Sequence, residues 1–216
     1  KALLEINNKS LLVRAIESCK HVHKDYPLIV STSNNSSDNK IAEEAENRNI
    51  EVFRGPLDNV LERAYLTCKK YKLTHFIRFC GDRPFFPRSL ISLIIESFVD
   101  IDIDLITSLL SKNNLPRGLT SELVSCNALE KILNSSIDKK HLEHLTSYIY
   151  ENKNLFKIKA LEPIPKINWG NSSFVVDTKK DYELAKKISS KVDKTLHSSK
   201  LFEVLKELQY WYNETS

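Results

Sequence analysis

Two stretches, Glu51-Val52-Phe53-Arg54-Gly55-Pro56 and Thr74-His75-Phe76-Ile77-Arg78-Phe79-Cys80-Gly81-Asp82-Arg83-Pro84, bracket a helical segment running from Asn59 to Tyr71. Each is a short run of β-branched and aromatic residues stopped by glycine and proline, the signature of a strand that ends in a turn. Asp58 stands where a side chain can cap the helix between them. Strand, helix and strand in that order predict one βαβ unit. Toward the N-terminus, Asp38 is expected to cap a helix reaching about Asn47, Leu28 to Thr32 reads as a strand, and Ser10 to His23 as a helix. In that first helix Leu11, Leu12, Ala15, Ile16, Cys19 and Val22 share one face. Toward the C-terminus the predicted order is helix Ser89–Phe98, strand Asp104–Leu110, strand Glu122–Cys126, helix Ala128–Asn134, helix Lys139–Tyr150, strand Phe156–Leu161, strand Ser173–Val176, and helices Asp181–Ser190 and Lys200–Trp211. Short apolar strands alternating with helices predict an α/β fold on a mostly parallel sheet. With no repeat, low-complexity tract or linker, residues 1–216 are expected to form one domain, with 192–216 as a helical extension.

The composition narrows the function classes. A formal charge of +4 is a small excess over 28 acidic residues. It suits an anionic small molecule, and with no dense Lys/Arg block it argues against nucleic acid. No apolar stretch approaches the ~20 residues of a membrane helix. Cys19, Cys68, Cys80 and Cys126 are scattered without a CxxC pair, the usage of reduced thiols in a cytoplasm. The chain opens at Lys1 and contains no methionine, which we read as truncation. Six of the eight arginines, Arg54, Arg63, Arg78, Arg83, Arg88 and Arg117, fall between residues 54 and 117. Where lysine is the default cation, such a cluster marks a place suited to the planar guanidinium.

In an open α/β sheet, ligands bind beyond the carboxyl ends of the strands. Arg54-Gly55, Gly81-Asp82-Arg83-Pro84 and Asp177-Thr178 all fall there. Two carboxylates converging from separate strands make a hard-oxygen site suited to Mg²⁺, which takes one or two protein carboxylates and completes its shell from substrate phosphates. The plainer alternatives are a Gly-Asp-x-Pro turn in which Asp82 caps the next helix, an Asp177-Thr178 cap, and an Arg54 that only solvates a strand end.

The same segments, taken in order, resemble a known family. Phe53-Arg54-Gly55 through Val60-Leu61-Glu62-Arg63 is similar to its FRG-x-x-x-x-VL-x-R segment, and Arg78 through Pro84 to its R-x-x-GD-x-P motif. Pro116-Arg117-Gly118 through Glu122 resembles P-x-G-x-x-x-E, Glu143-His144-Leu145-Thr146-Ser147-Tyr148-Ile149-Tyr150 resembles EHVTPYIY, and Val176-Asp177-Thr178 with Asp181 resembles VDTPEDL. Together they resemble the cytidylyltransferase-like proteins of spore-coat polysaccharide type, relatives of the enzymes that make CMP-sugar acids. The resemblance covers about residues 1–190. It implies a single-domain, three-layer α/β/α nucleotidyltransferase fold of Rossmann-like, GT-A-like type. It also implies that the hydroxyl of a sugar or sugar acid attacks the α-phosphate of CTP with Mg²⁺ present. By the same resemblance Asp82 and Asp177 hold the metal, or Asp177 activates the hydroxyl. Lys1 is the last residue of a phosphate-binding loop, Arg54 and Arg78 contact phosphate or carboxylate, and Arg117, Glu122 and His144 line the sugar pocket. The family's first strand and loop are expected to be missing, leaving the chain a poor binder of nucleotide; a homodimer is expected of relatives. Arg83 and Ser147 depart from the family pattern, which puts specificity in doubt at both places.

Two other readings compete, and two more find no support. A glycosyltransferase would use the Asp-x-Asp spelling in Asp100-Ile101-Asp102-Ile103-Asp104, although this lies between a helix and a strand, where a solvated turn is natural. A non-catalytic interaction protein would use the apolar last helix as an interface, although such a face more often joins a core. His141 and His144 lack the cysteine company of a zinc site. No G-x-S-x-G supports a hydrolase.

Overall fold

The computed structural model describes residues 1–20 and 25–216. The chain starts with a hairpin absent from the sequence reading, β1 (Glu5–Ile6) against β2 (Lys9–Ser10). Its turn is Asn7-Asn8 with φ of 50° and 60°, the double left-handed pair of a type I′ connection, which asparagine tolerates. α1 (Leu11–Cys19) follows, capped by the Ser10 hydroxyl and ending at Lys20; residues 21–23 of the predicted first helix, including Val22, lie outside the described residues. β3 (Ile29–Ser33), α2 (Asn39–Glu46), β4 (Glu51–Gly55), α3 (Val60–Tyr71), β5 (His75–Arg78), α4 (Arg88–Ser97) and β6 (Leu105–Thr107) alternate as the sequence indicated. β7 (Glu122–Ser125), α5 (Cys126–Leu133), α6 (Lys139–Glu143), α7 (Ser147–Glu151), β8 (Ile158–Ala160), α8 (Lys179–Val192) and α9 (Leu201–Thr215) complete the chain.

Several local expectations need correcting. Asn59, not Asp58, caps α3, accepting from the Glu62 amide. Asp38 precedes α2 but gives it no side-chain cap; its carboxylate instead accepts from the amide and hydroxyl of Ser33 and the hydroxyl of Thr32. The predicted helix 139–150 is two helices, because Leu145 turns into the core and Thr146 reaches a buried carboxylate between them. The predicted strand at 173–176 makes only one isolated bridge, Ser173 to Arg117, and otherwise runs as extended loop.

β3 and β4 pair in parallel as one two-stranded sheet. β5, β7, β6 and β8 lie side by side in a second sheet, in which β6 and β8 run parallel while β7 runs against both β5 and β6. No ladder joins the two sheets among the described residues. Alternate residues of the larger sheet enter opposite cores, as the two-residue period of a strand requires. Ile77, Ile106 and Leu123 face a cluster with Leu11, Leu90, Ile94, Ile188 and Leu205. Phe76, Leu105 and Val124 face one with Leu61, Leu129 and Ile149. Helices therefore cover both faces: α1, α4, α8 and α9 on one, α3, α5 and α7 on the other. Val204, Leu205 and Leu208 of α9 are fully buried in the first cluster, so its apolar face is committed to the core. Among the described residues no helix is long and apolar enough to cross a membrane.

Candidate active site

β5 ends at Arg78, and the chain then turns through Cys80-Gly81-Asp82-Arg83. α4 does not begin until Arg88, with Pro87 in its cap position, so Asp82 caps nothing. The segment 173–177 runs alongside this turn. The Val176 amide donates to the Asp82 carbonyl at 2.9 Å, and the Phe174 amide to the Arg117 carbonyl at 2.8 Å. Those two bonds bring Asp82, Arg117 and Asp177 together across 95 residues of sequence. α8 then starts with a full capping box in which Thr178 and Asp181 satisfy each other's backbone. Capping is therefore done by Thr178 and Asp181, leaving the Asp177 carboxylate for another purpose.

The Lys1 ammonium lies between the two carboxylates. Its Nζ donates to Asp177 Oδ1 at 2.8 Å and stands 3.6 Å from Asp82 Oδ2. Arg117 donates to Asp177 Oδ2 at 3.1 Å. The hydrogen bond from Lys1 is the main reason the Asp177 carboxyl sits below its ordinary range, and the return contact raises the Lys1 ammonium. The other oxygen of Asp82, Oδ1, is buried with no hydrogen-bond partner. A buried acceptor left open in this way is costly unless something else fills it. A pocket of ≈ 160 Å³ opens here, lined by Asp82, Arg83, Arg117, Gly118, Thr120 and Asp177 among others. A larger hollow of ≈ 410 Å³, beside Asn168, Trp169 and Tyr212, is lined by no charged side chain, so the smaller one is the candidate site on chemical grounds.

Gly118 is a geometric requirement of this pocket. Its φ is +91°, and a Cβ there would lie 2.5 Å from the Phe174 backbone carbon. A Gly118→Ala variant must push the 173–177 segment away from Arg117 as well as adopt a left-handed backbone. We expect a loss of at least ~2 kcal/mol, read as a lower denaturation midpoint, accompanied by a weakened site.

The remaining sequence candidates are placed elsewhere. Arg54 donates to the carbonyls of Ser33 at 2.9 Å and Asn35 at 2.7 Å, tying the loop after β3 to the end of β4. Arg78 stands 3.5 Å from Glu122, its partner in the β5–β7 register. Glu122 is buried and also accepts from Thr146 and Tyr150. The His144 side chain is exposed just after α6, whereas His141 is buried against Ser147. The Asp-x-Asp spelling makes no site: Asp104 is buried and accepts from Lys131, Ser125 and the Lys157 amide, while Asp102 faces solvent. Sequence reasoning named Arg83 in a strand-end cluster but gave it no site role, and did not single out Thr120, although both line the pocket, where Arg83 donates to the Thr120 carbonyl at 2.7 Å. The arginine cluster was the signal for Arg83; nothing local signalled Thr120.

Asp82 and Asp177, on two segments brought side by side, thus meet the Lys1 ammonium beside an arginine-lined pocket, and the cytidylyltransferase family model matches residues 1–215. The chain belongs to the cytidylyltransferase family. It is 34% identical over 184 residues to an uncharacterized protein of Methanocaldococcus jannaschii, covering 85% of this chain and 74% of that one. It is 28% identical over 183 residues to the spore coat polysaccharide biosynthesis protein SpsF of Bacillus subtilis, covering 84% and 75%. The fold is similar to the structure of a cytidylyltransferase from Leptospira borgpetersenii, with a TM-score of 0.86 at 24% identity, covering 100% of this chain and 91% of that one.

Proposed function

We propose that this cytidylyltransferase-family chain joins CTP to the hydroxyl of a sugar or sugar acid, releasing pyrophosphate, as a step toward a surface polysaccharide. The observation that carries the reading is the pair of carboxylates, Asp82 and Asp177, gathered on one ammonium at the mouth of the pocket. The polysaccharide setting rests on the likeness to SpsF. In the reaction a bond forms between the acceptor oxygen and the α-phosphorus, the bond to the bridging oxygen of the β-phosphate breaks, and the acceptor proton is released.

The residues fit a divalent cation such as Mg²⁺. Asp82 offers a buried, unpartnered oxygen, Asp177 an ionised one, and the Lys1 ammonium shows that the space between them accepts positive charge. Among the described residues no cluster of three or more acidic, histidine or cysteine side chains exists to cage a metal, which agrees with an ion that completes its shell from phosphate oxygens. Bound there, the ion neutralises triphosphate charge and acidifies a hydroxyl. Asp177, held below the usual carboxylate range chiefly by the Lys1 hydrogen bond, is ionised, as a metal ligand must be. Lys1 and Arg117 then meet phosphate or acceptor oxygens, Arg54 and Arg78, on β4 and β5, are candidates for the same contacts, and His144 for the acceptor pocket. The packing of α9 into the main core supports one domain over 1–216, and four free thiols suit a cytoplasmic setting.

Pyrophosphate release with CTP, Mg²⁺ and a panel of sugars and sugar acids tests the reading. Release that requires CTP and one acceptor supports it; no release from the folded protein counts against it. A second expectation concerns Lys1. Lys1→Ala removes the ammonium competing for the carboxylates, so Mn²⁺ affinity without nucleotide should rise several-fold while CTP turnover falls. Calorimetry with Mn²⁺ alone reads the first effect.

A further inference from the structure

Arg78, Glu122 and Thr107 stand opposite one another in the β5–β7 and β6–β7 registers, forming one row across three strands. The row lies where β5 and β6 end, the edge from which the chain continues to Asp82. Glu122 is its hub and is 8% exposed. Oε1 accepts from Tyr150 at 2.6 Å and from Thr146 at 3.0 Å, and Oε2 faces Arg78 at 3.5 Å. Tyr150 has one proton, which Glu122 takes, so the Thr107 hydroxyl donates to the Tyr150 oxygen at 2.7 Å. Thr107 in turn accepts from the Leu109 amide at 3.1 Å. Every bond in the chain points toward the carboxylate, so Glu122 is engaged by protein groups at both of its oxygens. Arg78 is the member that retains free donors: its guanidinium is 28% exposed and has no second carboxylate partner among the described residues. Burial and the Glu122 charge both push the Tyr150 phenol up, so it remains a donor throughout the working pH range.

We propose that Tyr150 is a positioning residue of the transfer site: it locks Glu122, which holds the Arg78 guanidinium in one orientation toward an oxyanion of the bound substrates. This rests on the transferase reading given above. A guanidinium recognises oxyanions through paired, in-plane N–H groups, so a rotation of the fork loses one of the two bonds. Glu122 is thus support, and Arg78 the group that meets phosphate or carboxylate.

The test is a double-mutant cycle of Tyr150→Phe and Arg78→Lys, with KM for CTP and KM for the acceptor measured separately. Tyr150→Phe keeps the ring and its packing. It should raise one of the two KM values about tenfold, with kcat changed less than threefold, and Arg78→Lys should raise the same one. The double variant should be no worse than Arg78→Lys alone, because both changes act through one guanidinium. A raised KM for CTP identifies a nucleotide phosphate as the oxyanion; a raised acceptor KM identifies a carboxylate or phosphate on the acceptor. Thr146→Val should reproduce the effect and Thr146→Ser restore it, which guards against a Tyr150→Phe protein that folds poorly. Additive effects, or a Tyr150→Phe protein with unchanged KM values, overturn the inference alone. A folded wild-type protein without CTP turnover overturns the transferase reading and this inference with it.

Discussion

Asp82→Ala should lower the rate of CTP-dependent pyrophosphate release about 10³-fold while leaving the fold intact. The carboxylate caps no helix, and its Oδ1 has no protein partner to lose, so its removal costs the structure only the long contact to Lys1. On the proposed reading it removes an anchor for the cation, and such an anchor supplies roughly 4 kcal/mol of transition-state stabilisation, or three powers of ten in rate. Asp82→Asn should lose nearly as much, because the shape survives while the charge does not. Asp177→Ala should fall by a similar factor. The informative contrast is the neighbouring cap. Thr178→Ala removes the hydroxyl that accepts from the Asp181 amide and should cost ~1 kcal/mol of stability while leaving the rate within a few-fold of wild type. Steady-state kinetics and thermal melts on the same preparations separate the two roles.

The second large effect concerns stability. Arg14 is buried, with its guanidinium clamped on Asp193 through both terminal nitrogens and on the Pro84 carbonyl at 3.3 Å. Asn7 and Ser189 complete the Asp193 shell. The clasp therefore fastens α1, the turn after Asp82 and the end of α8 to one another. Asp193→Ala leaves a buried guanidinium without its counterion, a loss of about 3 kcal/mol, toward the low end for a buried pair because Asp193 is 37% exposed. For a chain of this length the melting temperature should drop by about 6–12 °C. The pH dependence has a definite sign. Burial raises the Asp193 carboxyl, but the hydrogen bonds from Arg14, Ser189 and Asn7 outweigh it and leave the folded value below 3.8. The stabilisation is accordingly complete above that ordinary value and disappears as pH falls through the folded one. The gap between wild type and Asp193→Ala should be constant near neutrality and close below about pH 3.8. Replacing both residues, as in Arg14→Met with Asp193→Ala, should recover part of the loss.

The contrast between these two features shows what a single sequence makes legible. The βαβ alternation was readable because apolar period and glycine–proline punctuation are local. The three strand-end clusters followed from it, since ligands gather where parallel strands end. Asp82 and Asp177 announced themselves by lying beside tight turns. The Arg14–Asp193 clasp did not, because its halves are 179 residues apart and neither residue breaks a local pattern. Tyr150 and Thr146 were hidden differently. Their spacing reads as one continuous helix, and only the kink at Leu145, set by tertiary packing, turns both hydroxyls onto Glu122. Arg54 was legible as a planar donor at a strand end but not in its choice of partner, since backbone carbonyls carry no sequence signal. The Asn7-Asn8 turn went unread, because the two-residue strands on either side give no period to detect.

Nucleotide selection in the presence of metal bears most directly on the central claim, that Asp82 and Asp177 form the metal and nucleotide site of a cytidylyltransferase. Calorimetric titration of the protein with CTP, UTP, GTP and ATP, each with and without Mn²⁺, is the measurement to make. The expected result is binding of CTP over the other three, strengthened at least tenfold by Mn²⁺, with the metal enhancement abolished in Asp82→Ala and Asp177→Ala. Binding that ignores the base, or a metal enhancement that survives both substitutions, would contradict it.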